Sequence, residues 1–207
     1  MRSAEYLCFV SYASPNEDFA NDLEEALGRE LNRYVRDKGL FTYKRELHGG
    51  DFIDESIQNA LCKSLCMIII YTPSYFDLNY TYCAREFKAM EELEKQRLVH
   101  ISCSEKRKHG LIIPIIFRGA EHFPEEIKSK RQYVDFSNYY ACCMSKHPKY
   151  APKIIDLAKY IYKLYDNLDD ENIFKECDKF KLPSCDEVTP WLEKACPKAQ
   201  KFPGRRT

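Results

Sequence analysis

The chain has 207 residues, enough for one α/β domain and a small appendage. Its 32 Lys and Arg balance 32 Asp and Glu, so no global charge favours nucleic acid or an anionic membrane surface. No apolar stretch is long enough to span a bilayer and no signal peptide follows Met1, so we expect a cytoplasmic protein with no membrane or nucleic-acid partner.

Short apolar runs alternate with helical patterns in the first third of the chain. Tyr6–Val10 predicts a strand that ends at Ser11 and Tyr12, and Asn16 is a suitable cap for the helix that follows. Apolar residues at helical spacing continue to Tyr34, and Gly39 ends the pattern. A second strand is predicted at Leu40–Tyr43, and a polar loop follows at Lys44–Gly50. A further helix is predicted after Asp51.

The central stretch predicts a buried strand that leads into a helix. Met67–Tyr71 is an unbroken apolar run, typical of a parallel strand covered on both faces, and Pro73 ends it. Asp77 and Asn79 offer turn and cap chemistry for a helix that runs to about Arg97. Tyr82 and Glu86 lie four residues apart on that helix, and therefore on one face. Open α/β sheets bind ligands where a strand ends in such a loop.

The remaining pattern predicts two more strands and a closing helix. Leu111–Phe117 contains Pro114, which suggests an edge strand or a local irregularity. Tyr133–Phe136 is a brief fifth strand, and residues 154–168 form an amphipathic helix. This alternation indicates a parallel right-handed βαβ sheet. We therefore divide the chain into a domain at 1–168 and an irregular, partly helical C-terminal extension at 169–207, where Trp191 is a candidate to pack back on the domain.

The ten cysteines are expected to be free thiols. Cys8, Cys62 and Cys66 fall inside apolar runs, where free cysteine behaves as a small hydrophobe. A chain of this length can build a core without disulfides. No CxxC pair occurs, so we also predict no metal site.

Several ordered motifs identify a family. They lie at Phe9–Tyr12, at Arg45–Phe52, at Ser64, at Thr72–Tyr75 and at Cys83–Glu86. Together they resemble a bacterial TIR domain, the Toll/interleukin-1 receptor module, over roughly residues 5–166. The resemblance implies a flavodoxin-like fold, a five-stranded parallel sheet of order 2-1-3-4-5 flanked by helices.

Two other α/β classes lack their required residues here. A response-regulator receiver needs carboxylates at the ends of the first and third strands, where this chain has Ser11-Tyr12 and Tyr71-Thr72. A Rossmann dehydrogenase needs a glycine-rich fingerprint after the first strand, and none follows.

The resemblance implies a catalytic carboxylate at Glu86. Enzymatic TIR domains cleave NAD at the nicotinamide–ribose bond and carry a glutamate on the helix after the third strand. Nicotinamide leaves as a neutral group, so the reaction needs a carboxylate that stabilises an oxocarbenium-like ribose rather than a proton donor. The alternative, favoured without the resemblance, is a solvated glutamate near a helix start.

The same resemblance assigns substrate contacts around Glu86. Tyr12, Ala13 and Ser14 match a loop that contacts the nucleotide, although an ordinary turn is compatible with the same residues. Tyr82 matches a position often held by Trp in the enzymatic members, with a core aromatic as the alternative. Tyr75 either packs on a substrate ring or packs into the sheet edge.

A second group of predicted contacts lies in the loop after the second strand. His48 and Gly50 match a segment that closes over substrate or contacts another TIR domain, and Arg45 is assigned to a phosphate or to the exposed surface. Gly49 stands where the family commonly has Pro. The resemblance implies no cofactor and no metal, because NAD is the substrate.

The resemblance thus implies an NAD-cleaving TIR enzyme of the Thoeris-like kind, an NAD glycohydrolase or ADP-ribosyl cyclase. It would make an ADP-ribose-derived messenger for a separate effector protein in antiviral defence, and would assemble with other TIR copies. The alternative is a non-catalytic TIR interaction module, or a virulence factor that mimics host TIR adaptors.

Overall fold

A computed structural model of the chain describes residues 4–36, 38–42, 52–100, 110–140, 143–167, 174 and 177–195. Five strands form one parallel sheet of order β2-β1-β3-β4-β5, which confirms the predicted flavodoxin-like fold class. The strands are β1 (Tyr6–Tyr12), β2 (Leu40–Phe41), β3 (Ser64–Tyr71), β4 (Ile112–Ile116) and β5 (Val134–Asp135). The helices are α1 (Glu17–Leu31), α2 (Ile53–Lys63), α3 (Tyr82–Leu98), α4 (Glu125–Lys128), α5 (Ala151–Asp166) and α6 (Cys185–Ala195).

The centre of the sheet is its most apolar part. All eight residues of β3 are buried, as a strand covered on both faces requires. Helices flank the sheet, with α1 packed against α5 and α2 packed against α3. The predicted second strand and fifth strand are present but shortened to two residues each.

Pro114 lies in an interior strand, so the first of the two predicted alternatives, an edge strand, is wrong. The Leu111 carbonyl accepts from the Met67 amide in β3, and alternation along β4 then turns the Pro114 nitrogen away from β3. On the other side, β5 pairs only from Ile115 onward. The missing amide proton of Pro114 therefore removes no ladder hydrogen bond, because the short β5 does not extend to it.

Two buried charged residues fix the C-terminal half of α3. Arg97, only 1% exposed, donates to the Ser64 carbonyl at 2.6 Å and to the Cys62 carbonyl at 2.5 Å, so it caps the end of α2. Glu94 forms an ion pair with Arg131 at 2.5 Å and accepts from the Leu111 amide at the start of β4. These contacts set the position of α3 relative to the sheet.

The C-terminal segment packs on the domain and contains a disulfide. Cys62, at the end of α2, is bonded to Cys177 across 115 residues, so the expectation that all cysteines are free is wrong. Trp191 of α6 stacks on Phe87 of α3, with ring centroids 5.5 Å apart, and meets Phe76 edge-on. The segment is thereby connected to both α2 and α3.

Candidate active site

The candidate site lies at the carboxyl ends of β1 and β3. Both strands run in the same direction, and Ser11 near the end of β1 is in register with Ile69 of β3. Helix α3 begins after the loop that follows β3, and its second turn brings Glu86 to this edge. The geometry is the one in which open α/β sheets bind ligands.

Glu86 is completely buried, with 0% of its surface exposed. Its Oε2 accepts a hydrogen bond from Ser11 Oγ at 2.6 Å, whereas Oε1 has no hydrogen-bond partner among the described residues. Burial raises the pKa of Glu86 from 4.5 to about 8, and the hydrogen bond from Ser11 opposes that rise in part. The predicted carboxylate, Glu86, therefore lies at this edge of the sheet with a strongly raised pKa, which the proposed chemistry did not require.

Ser11 and Tyr75 complete a small buried polar cluster. Tyr75 Oη lies 2.6 Å from Ser11 Oγ, and neither residue has exposed surface. Cys83 adds a buried thiol, whose pKa is raised to about 12 by burial although a hydrogen bond with Ser11 lowers it. Ser11 was not among the predicted site residues. The sequence signal that could have identified Ser11 is its place as a small hydroxyl residue directly after the apolar run 6–10.

The pattern of α3 also contained a signal for the burial of Glu86. The residues Cys83, Glu86, Met90, Leu93 and Arg97 recur at helical spacing, and all are buried. Glu86 and Arg97 therefore occupy positions on the apolar stripe of the helix. A charged residue on such a stripe is unusual and indicates a specific role.

Tyr82 borders the site from the solvent side. It is 48% exposed, which excludes the core-aromatic alternative. The guanidinium of Arg85 lies 5.2 Å from the Tyr82 ring centroid. Arg85 in turn forms an ion pair with Asp54 of α2 at 2.8 Å and donates to the Pro183 carbonyl at 2.6 Å. Arg85, the residue before Glu86, is therefore bound to both helix α2 and the C-terminal segment.

The loop after β1 has the predicted turn and reaches the loop after β3. Tyr12 and Ala13 are half-buried, and Ser14 is exposed at the start of a short 3-10 turn, Ser14–Asn16. Asn16 is the N-cap residue of α1, as predicted, but its side chain makes no cap hydrogen bond. Its Nδ2 donates to Thr72 Oγ1 at 3.0 Å. The two loops are thus joined by a side-chain hydrogen bond beside the candidate site.

Other predicted contacts lie outside the described residues, namely Arg45, His48, Gly49 and Gly50. A cavity of about 670 Å³ lies between α3 and the C-terminal segment, lined by residues that include Lys88, Glu92 and Leu182. Glu86 does not line this cavity, in keeping with its complete burial.

The described part of the chain has neither a metal-binding cluster nor a membrane-spanning helix. It contains no group of three or more His, Cys, Asp or Glu side chains placed to bind a metal ion. Its helices are too short or too polar to cross a bilayer.

Comparison with known proteins identifies the family. A family model described as TIR domain matches residues 8–145. No curated protein matches the chain. Among solved structures, the TIR domain of the Toll-related receptor TRR-2 from the lower metazoan Hydra magnipapillata is similar, with 19% sequence identity and a TM-score of 0.47, over 74% of this chain and 98% of that chain. Because the family model matches more than half of its length, the chain belongs to the TIR domain family.

Proposed function

We propose that this protein cleaves NAD at the nicotinamide–ribose bond and that Glu86 is the catalytic carboxylate. The observation that carries the proposal is the state of Glu86: fully buried, held by one serine hydroxyl, with a second oxygen that has no partner among the described residues. A buried carboxyl group without a cation partner costs stability, so a role in folding does not explain it. Buried carboxyls with strongly raised pKa values are typical of functional sites.

The chemistry needs one ionised carboxylate beside the ribose. The bond between ribose C1′ and the nicotinamide nitrogen breaks, and its electron pair neutralises the positive charge of the ring. Positive charge then develops on the ribose, and Glu86 stabilises that charge. Water or another hydroxyl group adds to C1′ and loses a proton, which completes the reaction.

Contact with NAD requires access to Glu86 Oε1. The carboxyl has no exposed surface in this conformation, so the proposal includes a rearrangement that opens the site before or during binding. Tyr12 and Tyr82 retain exposed surface at its border and are the proposed contacts to the nucleotide, with Ala13 and Ser14. Arg45, His48 and Gly50 are proposed contacts from the loop after β2.

We further propose that the product is an ADP-ribose-derived messenger, as in Thoeris-type bacterial antiviral defence, and that a separate effector protein recognises it. TIR domains associate with one another, and we propose that neighbouring copies of this chain assemble to complete the pocket.

The decisive experiment incubates concentrated protein with NAD and identifies the products by mass spectrometry. Wild type is expected to release nicotinamide, and Glu86→Gln is expected to lose this activity while remaining folded. Glu92→Gln is the matched control, because Glu92 lies on the same helix with an exposed side chain that pairs with Lys95. Equal nicotinamide release by wild type and Glu86→Gln would reject the assignment of this carboxylate.

A second candidate function is a non-catalytic TIR interaction module. Large apolar side chains are exposed beside the Asp54–Arg85 ion pair, with Phe52 76% and Ile53 55% exposed on one side and Tyr82 on the other. Such a surface suits contact with another TIR domain. The module is favoured if wild type releases no nicotinamide at any protein concentration and yet sediments as an assembly that Phe52→Ser disrupts.

A further inference from the structure

The Ser11 hydroxyl occupies the centre of the buried cluster around Glu86. Its Oγ lies 2.6 Å from both Tyr75 Oη and Glu86 Oε2. Ser11 belongs to β1, which is hydrogen-bonded to β2 on one side and to β3 on the other. The sheet therefore fixes the position of the Ser11 hydroxyl. Glu86 reaches this hydroxyl from helix α3.

Proton counting fixes the direction of these hydrogen bonds when Glu86 is ionised. A carboxylate only accepts, and a serine hydroxyl has one proton to donate. Ser11 therefore donates to Glu86 Oε2, and Tyr75 must donate to Ser11. The chain Tyr75 to Ser11 to Glu86 leaves Oε1 as the carboxylate oxygen that has no partner within the described residues.

The other side chains that contact Ser11, the hydrogen-bond partner of Glu86, are neutral hydroxyl and thiol groups rather than charges. Tyr75 comes from the loop after β3 and Cys83 from the first turn of α3, and burial raises the pKa of both, that of Cys83 to about 12. Arg85, next to Glu86, is paired with Asp54 instead. Within the described part of the chain, Ser11 is thus the residue whose hydrogen bond favours the ionised form of Glu86.

We propose that Ser11, supported by Tyr75, is a positioning residue that orients the Glu86 carboxylate and leaves Oε1 available for the ribose hydroxyls. This inference rests on the proposed function for its ribose partner, although the orientation of Glu86 by Ser11 is a property of the free protein. Removal of the Ser11 hydroxyl would leave neither carboxylate oxygen with a hydrogen-bond partner among the described residues, which disfavours the ionised form.

The test measures the Glu86 carboxyl directly, by infrared difference spectroscopy against Glu86→Gln over a range of pH. Ser11→Ala is expected to raise the pKa of Glu86 by about one pH unit, the effect of losing one hydrogen bond to a charged group. Tyr75→Phe, which acts through Ser11, is expected to raise it by less. The matched control is Ser64→Ala, since Ser64 is an equally buried serine at the opposite end of β3 whose hydroxyl donates to the Ala60 carbonyl.

NAD turnover supplies the second measurement. Ser11→Ala is expected to lower kcat at least tenfold and to move its pH profile to higher pH by the same interval as the Glu86 pKa, with little change in KM. An unchanged Glu86 pKa in Ser11→Ala would overturn the proposal, as would a shifted pKa with unchanged kcat. If wild type does not cleave NAD, the proposed function fails, but the infrared titration still decides whether Ser11 orients Glu86. If Ser11→Ala does not fold, Tyr75→Phe provides the same two measurements.

Discussion

The stability of Glu86→Gln relative to wild type should increase as pH rises. The folded state keeps Glu86 protonated up to about pH 8, whereas the unfolded chain ionises near 4.5. Between these values the unfolded state binds fewer protons, so the stability of wild type falls with increasing pH. Glutamine does not titrate, so the stability of the variant does not fall with pH for this reason.

The magnitude follows from the interval between the two pKa values. From 4.5 to about 8, at 1.36 kcal/mol per pH unit, the wild-type penalty reaches about 5 kcal/mol above pH 8 and is absent below pH 4.5. The amide group of glutamine adds a constant term, because its NH2 would occupy the position of Oε1, where no described residue offers a hydrogen-bond partner. The prediction therefore concerns the growth of the stability difference with pH, rather than its value at any one pH.

Urea unfolding of wild type and Glu86→Gln between pH 5 and 8.5 measures this growth. The fluorescence of Trp191, the only tryptophan in the sequence, and circular dichroism at 222 nm provide two probes whose agreement tests two-state behaviour. Glu92→Gln, an exposed site on the same helix, should give no such growth. Parallel pH curves for wild type and Glu86→Gln would show that Glu86 is ionised in the folded protein, and would refute the resting state described here.

Three further predictions concern the disulfide, the C-terminal helix and catalysis. Reduction of the Cys62–Cys177 bond, which closes a loop of 115 residues, should lower the free energy of unfolding by about 2–5 kcal/mol; a urea midpoint unchanged by reductant would contradict this. Trp191→Ala should cost about 2–3 kcal/mol through the lost stack on Phe87, measured by thermal unfolding, and a stability equal to wild type would show that α6 contributes little. NAD cleavage, which needs ionised Glu86, should rise nearly tenfold per pH unit up to about pH 8; initial rates that do not change between pH 6 and 8 would show that substrate binding lowers the pKa of this residue.

The sheet was predictable because its strands have strong local signals. The run Met67–Tyr71 and the stop at Pro73 predicted the end of β3 at Tyr71, whereas the strand begins at Ser64, three residues before the predicted run. The helix after it was predicted to end near Arg97 and ends at Leu98. Its start was less clear, because Asp77 uses its carboxylate to accept from the Asn79 amide in a turn and does not cap the helix.

The features missed from sequence all depend on contacts between distant segments. Cys62 has an ordinary place on an apolar stripe, and nothing local marks its bond to a cysteine 115 residues away. Ser11 meets Tyr75 and Glu86 across separations of 64 and 75 residues. The family resemblance pointed to Glu86, but its burial and raised pKa depend on packing that only the folded chain provides.

The hydrogen bond from Arg85 to the Pro183 carbonyl has a practical consequence for experiments on shortened proteins. A version cut at residue 168 would lose the disulfide, the Trp191 stack and this acceptor in one step. Arg85, whose guanidinium lies beside the Tyr82 ring, would keep its ion pair with Asp54 but lose its hydrogen bond to the Pro183 carbonyl. Inactivity of such a fragment would therefore not test Glu86 alone, because the contacts of the neighbouring Arg85 would also have changed. Activity measurements should begin with all 207 residues.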